Sequence, residues 1–382
     1  MRADAGPELA TLLRLVSPAD APAQPWAALS WAPVGAGGRQ LLQHVALRSR
    51  IAAAARLGAV TARGPVEVVR PVRGSLRPGW RDRVRRRAGS GYVAFRPAVG
   101  GGALLDHVLR DAGATARSGL AVGADGAVRL RVSRDGVPAL LRMGLRDTSA
   151  DPSWAAAGLA ALQAHSRSRV PGALASGRTD EVSWLMEELL PGLRPDRLTS
   201  GLVDQVASFV AALPASDAAP AVRDDAAVIA AAAPGFAAAV IRAADAVAAS
   251  RPAHRPQLGH GDLWSGNVLS DGDRLTGVID WDAWSPAAVP GVDLLHLLGT
   301  ERRIRTRSSL GEVWLHRPWD DPGFVRAAQR HWPDWGGDAG ARRMVGTAWW
   351  LGQLAADMRR NPELAGNASW LARNVDLVAA GL

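Results

Sequence analysis

Four polar residues in one stretch of the chain have the types and spacing to do chemistry together. From Gly259 to Trp284 the sequence reads GHGDLWSGNVLSDGDRLTGVIDWDAW, and it carries His260, Asp262, Asn267 and Asp280. A short apolar strand start leads to His260, Asp262 and Asn267 on a loop, and a second apolar run, Leu275 to Ile279, ends in Asp280. The Asp-Gly and Gly-Asp pairs at 271–273 are hairpin-turn chemistry, so the polar groups at the ends of the two runs are expected to converge. Two carboxylates and an amide would then face one small volume. The alternative reading is structural, a buried polar hairpin with a capping aspartate.

Phosphoryl transfer requires such a trio. The attacking hydroxyl must be oriented by a base, and magnesium must be held by hard oxygen ligands against the nucleotide phosphates. The order His-x-Asp-x-x-x-x-Asn, followed 13 residues later by Asp, resembles the kinase catalytic loop. More closely, HGDLWSGNVL with VIDW resembles the aminoglycoside phosphotransferase family and its relatives, among them fructosamine kinases and choline kinases. The resemblance implies an α+β, bilobal protein-kinase-like fold with a small β-rich N-lobe and a larger helical C-lobe. It implies ATP and magnesium as cofactors, and a small-molecule hydroxyl acceptor such as a sugar, aminoglycoside or amino alcohol. By the same resemblance Asp262 is the catalytic base, Asn267 and Asp280 bind magnesium, and His260 holds the loop in shape. Asp293 would anchor that loop from behind, although a helix N-cap would also account for it.

Other elements must position these groups. Leu120 to Val122, Val128 to Val132 and Val137 to Met143 are short β-prone runs, the last two joined by an Asp135-Gly136 turn. Gly123 and Gly126 sit in the first turn, where backbone can approach phosphates and side chains cannot. Relatives carry a Lys on the third strand that contacts the α and β phosphates and pairs with a Glu on the next helix. This chain has Arg142 there, and the helix expected at Ser153 to His165 contains no acid. Arg keeps the charge but is bulkier and planar, so the exchange is not conservative. Arg142 then either serves the phosphates with Asp147 or Asp151 as partner, or marks a catalytically impaired relative that binds nucleotide or sugar for regulation. The apolar run from Val182 to Leu190 ends in Pro191-Gly192. By resemblance this is the hinge, where backbone near Glu187 to Leu189 receives adenine.

Leu198, Leu202, Val206, Phe209 and Leu213 recur at helical spacing and open a helical region. Further helices are expected near Arg223 to Ala233, Phe236 to Ala249, Val292 to Leu298, Pro322 to His331, Ala341 to Met358 and Ala368 to Ala380. The expected organisation is an extension of unassigned role at 1–112, a kinase-like N-lobe with hinge at 113–190, and a helical C-lobe with the catalytic loop at 191–382. A helix at Leu104 to Ala112 would close the extension. Of the 15 tryptophans, 10 lie from Trp264 onward. Trp281, Trp284, Trp314, Trp319, Trp332 and Trp335 are candidates to line the acceptor pocket, most of them being expected in the core.

Composition narrows the alternatives. The 382 residues suffice for two or three lobes and a sizeable core. There is no cysteine, which removes disulfide frameworks and thiolate metal sites and suits a cytoplasmic location. No run is long and apolar enough to suggest a membrane span, and no signal peptide is visible. All 45 basic residues are Arg, so a Walker A motif, which needs Lys, is excluded. The net charge of +9 and the cluster Arg81, Arg83, Arg85, Arg86 and Arg87 raise nucleic-acid binding. A solvated helix face, or a surface favouring phosphorylated substrates, is preferred, with no nucleic-acid or membrane partner expected. The sequence leaves oligomeric state open.

Overall fold

The computed structural model describes residues 104–382 apart from 123–126, 147–150, 164–168, 180–181 and 251–254. Gly123, Gly126, Asp147 and the arginine cluster at 81–87 therefore lie outside the described residues. The class is α+β. Two compact units are present, one containing 104–157 and 171–189, the other 158–170 and 190–382.

The first unit is a five-stranded antiparallel sheet. It comprises β1 (Thr115–Val122), β2 (Val128–Arg134), β3 (Val137–Leu145), β4 (Ala173–Arg178) and β5 (Val182–Glu188), in the order β1-β2-β3-β5-β4. Asp135 and Gly136 join β2 to β3 with φ of 50° and 82°. Positive φ at both central residues is what a two-residue hairpin needs to match strand twist, which is why Asp-Gly stands there. Val128, Leu130 and Val132 alternate onto one face with Ala139, Leu141, Met143, Val182, Trp184 and Met186. Helix α1 (Leu104–Asp111) contributes Val108, and Ala112 just beyond it joins the same cluster. The helix expected to close the extension thus packs with the sheet. On the opposite face of the sheet, Arg142 of β3 sits across from Leu185 of β5 and diagonal to Glu187.

The second unit is mainly helical. After α2 (Ser153–Gln163) and the strands, the chain forms α3 (Ser200–Ala211), α4 (Val222–Ala232), α5 (Ala237–Ala249), α6 (Val292–Thr306), α7 (Leu310–Leu315), α8 (Pro322–His331) and α9 (Ala339–Arg360). Helix α9, with 22 residues, spans about 33 Å at the standard rise and packs against α4, α5 and α6. Its start is set by Asp338, whose carboxylate accepts from the Ala341 N–H. Helix α6 continues beyond the expected end at Leu298, because Glu301, Arg302 and Arg303 are good helix formers. Gly299 is bare within it because the Trp349 ring lies where a side chain would start. The single helix expected at Ala368 to Ala380 is interrupted by a π turn at Ala372–Asp376. There the buried Asn374 accepts from the Leu310 N–H and donates to the Trp370 carbonyl, drawing the backbone out of regular α geometry.

The tryptophans mostly build this core. Trp281, Trp314, Trp319, Trp332 and Trp335 are buried, which corrects their candidacy as acceptor-pocket residues; Trp284 is half-buried. They fill the space that an alanine-rich helical region leaves open.

Candidate active site

Two short β pairs frame the polar stretch. Strand β6 (Gln257–Gly259) delivers the chain to His260 and pairs with β9 (Ser285–Ala288), which begins just after Trp284. Strands β7 (Val268–Asp271) and β8 (Arg274–Val278) form the expected hairpin, with Gly272 at φ 58° opening its two-residue turn. The pairing of Gly259 with Ser285 brings both ends of the stretch together.

The loop from His260 to Asn267 is held from several directions. Asp293, nearly fully buried in the first turn of α6, accepts the His260 N–H through Oδ2 at 2.7 Å and the Gly261 N–H through Oδ1 at 2.9 Å. Anchoring from behind is therefore its observed role, and it makes no capping bond to its own helix, whose N-cap is Gly291. The His260 Nδ1 accepts from the Asp262 N–H at 3.2 Å, so its proton sits on Nε2, which donates to the Ile279 carbonyl at 3.0 Å. That bond ties the loop to the residue before Asp280. Gln353 of α9 donates to the Gly261 carbonyl at 3.2 Å. Gly261 itself has φ 79°, and a Cβ there would collide with the Ala283 carbonyl oxygen. Only glycine fits the crossing.

Asn267 links the two arms. Its Nδ2 donates to the Asp262 carbonyl at 2.8 Å, and its own carbonyl accepts from the Ile279 N–H at 2.9 Å. Because a carbonyl can only accept, the amide orientation is fixed and Oδ1 is turned away from that bond. Asp280 follows with φ 69° and ψ 61°, a left-handed conformation that costs a non-glycine residue roughly 1 kcal/mol and redirects the chain after β8. Oxygen donors from an amide and a carboxylate suit magnesium, which characteristically takes one or two protein groups and completes its shell with phosphates and water. Among the described residues no group of three or more His, Cys, Asp or Glu could hold a metal.

Asp262 is the exposed member. Its side chain is 38% accessible, and Oδ1 lies 3.3 Å from Nε2 of His296 on α6. The other ring nitrogen, Nδ1, receives the indole N–H of Trp349 at 3.2 Å. An indole can only donate, so His296 carries its proton on Nε2 and donates it to the carboxylate. Sequence reasoning missed His296, Trp349 and Gln353. The available signal was spacing, since His296 follows Asp293 by one helical turn.

Asp262 opens onto a cleft of about 250 Å³ lined by Trp264, His296, Thr300, Arg303, Ile304, Gln353, Asp357 and Arg360. His296, Thr300, Arg303 and Ile304 form one stripe along α6; Gln353, Asp357 and Arg360 form another along α9. Trp264 lines the cleft, and its ring leaves no room for a side chain at Gly266.

In the sheet unit, Arg142 and Glu187 form a buried pair, Nη1 to Oε1 at 3.9 Å with side chains 6% and 8% accessible. Glu187 on the neighbouring strand is thus one partner of Arg142, and sequence reasoning did not name it; of the expected partners, Asp147 lies outside the described residues, and Asp151 accepts from the Ser153 N–H at the start of α2. Glu187 also sits inside the ladder, between Leu140 of β3 and Ala173 of β4. Of the expected adenine-receiving stretch, Leu189 lies past the last paired residue and is exposed.

No curated protein matches the chain. Solved structures that resemble it include a thermostable mutant of aminoglycoside phosphotransferase APH(4)-Ia in apo form, 17% identical over 72% of this chain and 98% of that one, with a TM-score of 0.47. Another is the ADP-bound aminoglycoside phosphotransferase APH(2'')-Ib, 14% identical over 70% of this chain and 96% of that one, at 0.43. A third is a putative fructosamine-3-kinase from Haemophilus somnus 129PT, 12% identical over 66% and 89%, at 0.45. The family model described as "Phosphotransferase enzyme family" matches residues 116–340, more than half of the sequence and the whole span from β1 through the Asp262 loop to α9's first turn. By that match, the chain belongs to the phosphotransferase enzyme family.

Proposed function

We propose that this protein transfers the γ-phosphoryl group of ATP to a hydroxyl of a small molecule, with Asp262 as the base. The observation that carries this reading is the state of the Asp262 carboxylate. One oxygen is held by the His296 N–H, while Oδ2 has no partner among the described residues and the side chain borders an open cleft. A hydroxyl entering the cleft can donate to Oδ2, which orients its lone pair for attack and takes its proton as the new P–O bond forms and the bond from the γ-phosphorus to the bridging oxygen of ATP breaks, releasing ADP. Positioning is the main contribution, since the transition state for phosphoryl transfer is loose. Asn267 and Asp280 are the proposed magnesium ligands; the ion, when bound, offsets charge on the phosphate oxygens. His260 and Asp293 keep the loop rigid, so Asp262 loses little freedom on meeting the acceptor. The test is ADP formation with purified protein, ATP and magnesium across a panel of sugars, sugar acids, sugar phosphates, aminoglycosides and amino alcohols. Acceptor-dependent ADP release is expected, and its absence across such a panel counts against the reading.

One observation favours a second reading, a nucleotide-binding regulator without turnover. Arg142 stands where relatives have Lys, and it is buried against Glu187 rather than left open. Magnesium-dependent thermal stabilisation by ATP, with no ADP formed for any acceptor, would select this reading.

A further inference from the structure

We infer that the cleft beside Asp262 takes an acceptor bearing an anionic group, a carboxylate or a phosphate, and that Arg303 is the residue that selects it. The inference rests on the phosphotransferase reading for its word acceptor, and on the cleft's own charges for the rest. Four ionisable side chains other than histidine line the cleft: Asp262, Asp357, Arg303 and Arg360. On α9 the charges cancel locally, because Arg360 Nη2 lies 3.0 Å from Asp357 Oδ1. The Asp262 carboxylate already accepts from His296. Arg303 differs from all of these: among the described residues it has no hydrogen-bond or ion-pair partner. A guanidinium presents five donors in a planar fork that fits carboxylate or phosphate oxygens two at a time.

The rest of the lining agrees. A polycationic acceptor would need several carboxylates, and beyond Asp262 the described lining of the cleft supplies only Asp357, which Arg360 occupies. Ile304 is 58% accessible and lies one position along α6 from Arg303. With Trp264 on the cleft wall, it offers apolar surface to a carbon skeleton whose hydroxyl meets Asp262 and whose anion meets Arg303. Arg303 and Arg305 both stand in the last turn of α6, where any cation is favoured by the helix dipole. Of these two only Arg303 lines the cleft, so Arg305 serves as its control.

The test is calorimetric titration of the full chain with D-gluconate, D-glucose 6-phosphate, D-glucose and D-glucosamine. The two anions are expected to bind at least tenfold more tightly than glucose, and glucosamine no better than glucose. Arg303→Ala should remove the gap while Arg303→Lys retains part of it and Arg305→Ala leaves it intact. Raising the salt concentration should narrow the gap. Equal or tighter binding of glucose or glucosamine, failure of both anions to bind, or a gap that survives Arg303→Ala would each overturn the inference. Gluconate against glucose 6-phosphate separates a carboxylate from a phosphate preference. If anion selectivity holds but no acceptor is ever phosphorylated, the phosphotransferase reading fails and the anion site stands.

Discussion

The Nε2–H of His296 meets the Oδ1 of Asp262 at 3.3 Å, from a ring whose other nitrogen is occupied by the Trp349 indole. The bond fixes which carboxylate oxygen is engaged and which remains for a substrate. His296→Ala is expected to lower kcat about tenfold, the equivalent of one lost orienting hydrogen bond to a charged group. His296→Gln, with an amide N–H of similar reach, should recover part of that loss. Trp349→Phe should lower kcat less than His296→Ala, since it frees the ring without removing it. Steady-state kinetics would check all three; an unchanged kcat in His296→Ala would show that Asp262 needs no such support.

Asp293 is the buried acceptor for two consecutive N–H groups of the loop. Asp293→Ala leaves both donors without a partner inside the protein, at a cost of about 2–4 kcal/mol in urea denaturation. Turnover should fall with it, because the same bonds shape the approach to Asp262. A variant of unchanged stability would show that water replaces the carboxylate without penalty.

Gly261 allows no side chain, with its positive φ and the Ala283 carbonyl in the way. Gly261→Ala is expected to destabilise the protein by about 2 kcal/mol or more and to reduce kcat more than ATP affinity. Thermal melts and ATP titration on the same preparation separate the two effects.

The Arg142–Glu187 pair is buried, and removing one member takes a nearby opposite charge away from the other. Arg142→Met should cost about 3–5 kcal/mol, whereas the double change Arg142→Met with Glu187→Leu should recover much of it. Recovery of folding without recovery of ATP binding would assign Arg142 to the nucleotide; recovery of both would make the pair purely structural.

Acid sensitivity has an identifiable contributor at the start of α7. The Ser309 N–H, above all, holds the Glu312 carboxyl below its ordinary value of 4.5. A depressed folded value means the stabilisation is present above the unfolded value and is lost as pH falls through the folded one. Wild type should therefore exceed Glu312→Gln in Tm near neutral pH, and the difference should shrink as pH drops well below 4.5.

Local chemistry explains what could be read in advance. The Asp135-Gly136 turn and the 271–273 turn were legible because hairpins of this length tolerate few residue types. The helical spacing from Leu198 to Leu213 was legible because α3 buries one face. What could not be read depends on distance along the chain. Arg142 finds Glu187 on a strand brought beside it by sheet order, and Asp262 finds His296 through the docking of α6 behind the loop. The tryptophans misled for the same reason: an indole buried in a core and one on a cleft wall have the same letter. Among the described tryptophans only Trp264, on the loop itself, lines the cleft.

The central claim is that Asp262 accepts the acceptor's proton. The direct test is transfer of label from γ-phosphate-labelled ATP to an acceptor by wild type and by Asp262→Asn, with nucleotide affinity measured alongside. Label on the acceptor in wild type, reduced by roughly 10²–10⁴ in the variant at unchanged ATP affinity, is the predicted result. Equal transfer by the two proteins would contradict it.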